Sequence, residues 1–204
     1  MSEATLRDGS RVEVRPVRRS DAELLLRGFE RLSEESRYRR FLCSMPELSD
    51  SMVRYLTNVD HHDHEAVVAL DPVTREGVGV ARYVRDPARH ERAEAAVTVI
   101  DDWQGRGLGT LLLELLAVRA REEGVTRFTA LMLASNDEMM EVLENLGPVR
   151  VIDREAGTVE VEAPLPADGL SAELRHLLKL TAETDTAVPL ATPGEAARLA
   201  SKGP

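Results

Sequence analysis

Apolar and polar residues alternate along several short stretches of the chain and recur every three or four positions along others, so strands and helices can be marked directly. Val12, Val14 and Val17 are separated by Glu13, Arg15 and Pro16, the pattern of a short strand. Ser20-Asp21-Ala22-Glu23 then reads as a capping box that opens a helix ending near Leu32. Ser33 and Ser49 stand where they can cap two further short helices, one carrying residues 37–41 and one with Met52, Tyr55 and Leu56 on its apolar side. Residues 65–70 and 77–84 are apolar runs separated by Asp71-Pro72 and Arg75-Glu76-Gly77, which is hairpin chemistry, and a third strand over 93–100 follows Asp86-Pro87.

Past Gly107, the positions Leu108, Leu111, Leu112, Leu115 and Leu116 recur at helical spacing until Gly124 stops the run. Residues 125–133 follow as a strand, 136–146 as a helix stopped at Gly147, and 149–152 with 158–163 as a closing hairpin. The order β-α-α-α-β-β-β-α-β-α-β-β predicts an α/β fold, a mixed sheet with helices on both faces. From Ala167 the character changes: a helix is expected over 170–181, and then Pro189, Pro193 and Gly194 lie in a polar setting. The expected division is one domain over 11–163 and a C-terminal appendage over 164–204.

The 204 residues suffice for one core of ordinary size. With 36 acidic against 26 basic residues, the net charge of -10 argues against nucleic acid as the main partner and favours a cationic one. Basic residues are nonetheless dense over 7–19 and 37–40, where an anionic cofactor or an acidic neighbour could be held, solvated surface charge being the plainer reading of each run. No stretch approaches the roughly 20 apolar residues of a membrane span, and residues 1–10 lack an apolar h-region, so a cytoplasmic protein is expected. The single cysteine, Cys43, excludes an internal disulfide.

The chemistry concentrates where the 93–100 strand runs through Asp101-Asp102-Trp103 into Gln104-Gly105-Arg106-Gly107-Leu108-Gly109-Thr110. Glycines let backbone N–H groups approach phosphate oxygens, and the positive end of the helix that follows favours a pyrophosphate there. Arg106 adds a guanidinium beside the same charge. A P-loop would need Lys and then Ser or Thr after its last glycine, whereas Thr110 and Leu111 follow Gly109. A dinucleotide fingerprint spaces its glycines as G-x-G-x-x-G, whereas here they stand at 105, 107 and 109. Trp103 reads as a packing residue under the loop.

The Q-x-x-G-x-G of Gln104 to Gly109, following a Val-x-Val strand, resembles the acetyl-CoA signature of GNAT N-acetyltransferases. The resemblance covers residues 11–163 and extends to Asn136 and to Leu146-Gly147. Two segments, 32–41 and 101–109, resemble more narrowly the acetyltransferase domain of the bacterial protein lysine acetyltransferases called Pat. The resemblance implies a mostly antiparallel central sheet and acetyl-CoA as co-substrate. It implies that Val97, Thr98 and Val99 pair through their backbone with the pantetheine arm, that the amides of Gly105 to Thr110 take the pyrophosphate, and that Asn136 reaches the cofactor. From the residues alone, Asn136 reads equally well as an ordinary first residue of its helix beside a Ser135 cap.

A lysine amine, with a pKa of about 10.4, must lose a proton before it attacks a thioester. Alternation places Glu94 on one face with Ala96, Thr98 and Ile100, and partial burial there would suit it as general base. The resemblance implies the same role. Backbone N–H groups of that strand are expected to stabilise the developing oxyanion. Many relatives carry a tyrosine, able to act as general acid, where this chain has Leu143. Asp60-His61-His62-Asp63-His64-Glu65 invites a metal reading, but nothing nearby completes three or four ligands, so no metal is expected; the resemblance instead suggests that His64 lines the acceptor cleft. The expected acceptor is an amine, a protein lysine first, a polyamine or aminoglycoside second, with a CoA-binding regulatory module as the non-enzymatic alternative. The oligomeric state is left open.

Overall fold

A computed structural model describes residues 2–166; the helix expected over 170–181 lies outside the described residues. Eight strands form one sheet in the order β1-β2-β3-β4-β5-β6-β8-β7, and every neighbouring pair is antiparallel except β5 and β6. The strands are β1 Ser2–Thr5, β2 Arg11–Pro16, β3 His64–Leu70, β4 Gly77–Arg85, β5 Arg92–Val99, β6 Arg127–Leu133, β7 Arg150–Glu155 and β8 Thr158–Pro164. The helices are α1 Ala22–Glu30, α2 Glu34–Phe41, α3 Asp50–Thr57, α4 Leu108–Glu122 and α5 Asp137–Glu144. This is the expected order with one strand added in front, since the polar tetrapeptide of β1 carries no alternation and pairs with β2 across the turn at Gly9.

β3 is buried at every position and β4 at most, because helices cover both faces of the sheet there. Val67, Ala69, Val78, Ala81 and Tyr83 face the main core, built around α4. Ala66, Val68 and Leu70 face the other way into a smaller core with Leu24 of α1 and Val80. α4 lies so close to the sheet that a Cβ at Gly79 would stand 2.9 Å from a methyl of Leu112 and would force that side chain to shift.

Ser33 and Ser49 cap α2 and α3 as expected, accepting from the N–H of Ser36 (3.1 Å) and Met52 (3.3 Å). The entry to α1 differs. A 3₁₀ turn over Arg19–Asp21 replaces the Ser20 cap. Buried Asp21 ties it down, accepting from the Arg18 N–H at 2.8 Å and from both terminal nitrogens of Arg15 at 2.7 and 2.8 Å. A buried ion pair outweighs a local hydroxyl cap here, because the strand β2 brings Arg15 to the helix end.

Candidate active site

The sheet is continuous except where β5 meets β6. Their parallel pairing covers only Arg92 with Arg127, Ala93 with Phe128 and Glu94 with Thr129. β5 then stays with β4 as far as Val99 and Gly79, while β6 stays with β8 as far as Leu133 and Thr158, and with sheet twist the two halves part. From Ala95 onward the β6-facing edge of β5 is left without a strand partner. A cleft of about 1280 Å³ occupies the gap, larger than the ~300–1,000 Å³ of an ordinary small-molecule pocket. Its walls are the edges of β5 and β6, the α2–α3 segment, the start of α5 and the glycine loop.

The glycine loop turns at Gly105 and Gly107, whose φ angles of +72° and +85° belong to the left-handed region that favours glycine. The first backbone bond of α4 runs from the Leu111 N–H to the Gly107 carbonyl at 3.1 Å. The amides of Leu108, Gly109 and Thr110 come before that bond and lie at the positive end of a 15-residue helix, at the cleft wall. Open amides at a helix start, an unpartnered strand edge and an elongated gap between them fit a ligand that carries a pyrophosphate on an amide-bearing arm.

Glu94 stands at the last paired residue of β5, where the strands begin to part. The residue is exposed by surface area at the cleft, yet protein atoms of the cleft walls surround it closely enough to desolvate the carboxyl in part. This desolvation raises its pKa above the ordinary glutamate value; Arg40 opposes the rise and Glu160 adds to it. The sheet register puts Val84 opposite Glu94, and Arg82 opposite Ala96 one alternation further on, so Arg82 shares the face of Glu94. Arg82 is buried and donates to His64 Nε2 at 3.1 Å and to the Leu56 carbonyl at 3.1 Å. Burial and the charge of Arg40 push its pKa down to about 9, with Tyr55 opposing, so it remains charged at neutral pH.

With this geometry in view, comparison with known proteins is decisive. Residues 11–149 match the family model described as "Acetyltransferase (GNAT) domain". The chain belongs to the GNAT acetyltransferase family. Acetyl-CoA is the co-substrate that this membership implies, and an amine the acceptor. Among its relatives, "Acetyltransferase Pat" of Mycolicibacterium smegmatis is 37% identical over 161 residues, 79% of this chain and 48% of that one. An acetyltransferase of Pseudomonas aeruginosa, PA5475, is 34% identical over 76% of this chain and 83% of its own. The chain thus spans about half the length of the first relative and most of the second. The solved GNAT domain of S. lividans PAT superposes with a TM-score of 0.74 at 35% identity, covering 80% of this chain and 96% of that one. A cAMP-binding acyltransferase of Mycobacterium smegmatis gives 0.60 at 28% identity, covering 89% and 56%.

The GNAT cleft gathers most of the residues singled out in the sequence, but in different roles. Glu94, Val97, Thr98, Val99, Gln104, Gly105, Gly107, Leu108, Gly109, Thr110 and Asn136 all line it. The side chain of Gln104 is occupied as a pin, its Nε2 donating to the Val99 carbonyl (2.9 Å) and reaching Ser36 Oγ (3.2 Å) and Asp101 (3.3 Å). Arg106 turns away from the cleft. Its guanidinium lies over Trp103, 5.0 Å from the ring centre, and bonds Ser10 Oγ and the Asp102 carbonyl, with Asp8 at 3.6 Å. The guanidinium expected beside the pyrophosphate is instead held here by Ser10 and Asp8 of the β1–β2 turn, a contact unseen in the sequence. Asn136 is itself the cap of α5, its Oδ1 accepting from the Met139 N–H at 3.1 Å, which leaves the amide NH₂ as what it can offer a ligand.

Two further expectations change. His64 does not line the cleft but is fully buried, its ring centre 5.2 Å from that of Tyr55 with the planes tilted by 32°, and its pKa is pushed down to about 3 by burial and then by Arg82. Leu143 is fully buried in the main core, while Glu138, Met139, Glu141 and Val142 are the α5 residues that line the cleft. In this chain position 143 therefore faces the core. Among the described residues no three His, Cys, Asp or Glu side chains are grouped to hold a metal, and no helix is long and apolar enough to cross a membrane. Sequence reading missed Arg7, whose stem passes Gly107 and which lines the cleft from the β1–β2 turn, and Arg40 and Tyr55 on α2 and α3. The dense basic runs around Arg7 and Arg40 were the only signal for two of them.

Proposed function

We propose that this GNAT protein acts in the cytoplasm on lysine side chains of proteins, transferring acetyl directly from acetyl-CoA with Glu94 as general base. The observation that carries this reading is the position of Glu94 at the point where β5 and β6 part, with a pKa held above the ordinary glutamate value by desolvation. Acetyl-CoA supplies the activated acyl group. The chain's part begins with the amides of Leu108, Gly109 and Thr110, which hold the pyrophosphate at the helix start. The open backbone edge of β5 aligns the arm and donates N–H groups toward the acyl oxygen as negative charge grows there. Glu94 takes the proton that the ammonium must lose, directly or through one water; its raised pKa brings its basicity closer to the task. The net charge of -10 favours approach of a cationic protein surface, and the resemblance of residues 32–41 and 101–109 to protein lysine acetyltransferases supports a protein acceptor over a small amine.

The test is acetyl transfer from acetyl-CoA to a panel of lysine-containing proteins and a panel of polyamines, measured side by side for the native chain and Glu94→Gln. Protein acetylation by the native chain, lowered about 10²–10⁴-fold in the variant with acetyl-CoA affinity retained, is the expected result. Equal rates would remove Glu94 from the mechanism. Activity on polyamines alone would replace the acceptor, and binding without transfer to any amine would leave a CoA-binding regulatory module.

A further inference from the structure

Beside the cleft lies a smaller chamber of about 70 Å³, room for a few heavy atoms where a water takes ~10–15 Å³ on the same kind of measure. Arg40, Phe41, Leu56 and Thr98 line both spaces, so the chamber adjoins the cleft beside β5. Its remaining wall is mainly apolar, with residues such as Leu24, Phe29 and Val68, and Arg82 is the one further charged side chain in it.

Among the described residues, Arg37 is held by two backbone carbonyls, while four other arginines with largely buried side chains have a carboxylate: Arg15 has Asp21, Arg85 has Asp63, Arg92 has Glu162 and Arg119 has Glu65. Arg40 and Arg82 do not. Among the described residues neither has a carboxylate within ion-pair distance. Arg82, 6% exposed, donates to a neutral imidazole and a backbone carbonyl; Arg40 lies over the ring of Phe41 at 5.1 Å. Glu94 acts on Arg40 only from beyond contact, and Tyr55 lies near both cations. Two like charges at one apolar chamber disfavour each other, and a buried guanidinium without a counter-ion is strongly destabilising. Guanidinium forks match planar carboxylates, and the chamber has the size of a short aliphatic stem that ends in one.

We infer that Arg40 and Arg82 form a carboxylate-binding subsite beside the transfer centre, so that one of the two reactants brings a carboxylate into the chamber. The carboxylate has two sources of the same chemistry: the far end of a dicarboxylic acyl group on coenzyme A, or an acidic side chain next to the acceptor lysine. The inference rests on the transferase reading of the cleft, but its test is read by binding and needs no turnover. Calorimetry would compare acetyl-CoA with succinyl-CoA and, in the presence of coenzyme A, a lysine peptide flanked by Glu with the same peptide flanked by Gln. In one pair the native protein should bind the carboxylate form at least tenfold more tightly, and the pair tells which reactant carries it. Arg40→Gln should bring that ratio close to one. Arg40→Lys, which keeps the charge and loses the fork, should retain part of it and serves if the first variant does not fold, as thermal unfolding will tell. Equal affinities within both pairs for the native protein overturn the subsite, and so does a preference that persists in Arg40→Gln. Failure of acetyl transfer would bear on Glu94 and the proposed reaction and would leave these ratios to stand or fall separately.

Discussion

Over its first three residues β5 is paired with β6, and the charges around that end are closed off: the carboxylate of Glu162, 2% exposed, meets Arg92 at 2.9 Å, Arg127 at 3.0 Å and Arg150 at 3.1 Å. Toward Val99 the same strand has a free edge, and its neighbours Arg40 and Arg82 have no carboxylate within ion-pair distance among the described residues. One strand thus has a finished end and an end left for a ligand to finish. Backbone pairing and charge compensation close the sheet at the first end. Withholding both at the second creates donors and cations that a pyrophosphate, an amide-bearing arm and a carboxylate can satisfy. The same physics gives stability in one place and, on the proposed reading, binding in the other.

The largest effect should come from filling the open end. Gly107→Glu puts a side chain at a φ of +85° and a negative charge where the pyrophosphate approaches, and should abolish acetyl-CoA binding. Unchanged affinity by calorimetry would show that the glycine loop is not the cofactor site. Next in size is Glu94→Gln, with its 10²–10⁴-fold loss of transfer. Because the Glu94 pKa is raised and the base must be ionised, transfer by the native chain should fall with acid below a midpoint above the ordinary glutamate value. The variant's rate–pH profile should lack that limb.

At the finished end the readout is stability. Glu162→Gln leaves Arg92 beside a buried amide, while Arg127 and Arg150 are exposed enough for water to compensate them, and should cost about 1–3 kcal/mol in urea unfolding. A loss below about 1 kcal/mol would mean that solvent already compensates this cluster and that the two ends differ less than their geometry suggests. A pH-dependent effect belongs to His64, which is buried neutral with a folded pKa of about 3 against 6.5 for the free side chain. The unfolded chain binds its proton first as pH falls. Stability should therefore decline between pH 6.5 and 3, by at most about 1.4 kcal/mol per unit from this residue, and His64→Gln should flatten that part of the curve. Smallest of all, Asn136→Ala should remove the α5 cap for about 1 kcal/mol. A fall in acetyl-CoA affinity beyond that would show that its amide also touches the cofactor.

Most of the frame follows from local patterns of residues. Periodicity placed every helix among the described residues and every strand but β1, and the glycine spacing marked where a phosphate chain can meet the backbone. Those features are local: a period of two or of 3.6, a cap, a turn that needs glycine, each written within a few neighbouring residues. Tertiary structure decided the rest, because the deciding partners are distant in the chain. Arg106 is the chemistry of a phosphate ligand until Asp8 and Ser10 of the N-terminal hairpin capture it. His64 reads as a polar strand entry until α3 covers it. Arg82 and Glu94 come onto one face only through the register of β4 against β5, and Arg40 comes to both through the packing of α2. Alternation fixes which side of its own strand a residue occupies. What stands opposite it, with which charge and how far from water, depends on how the whole sheet and its covering helices come together.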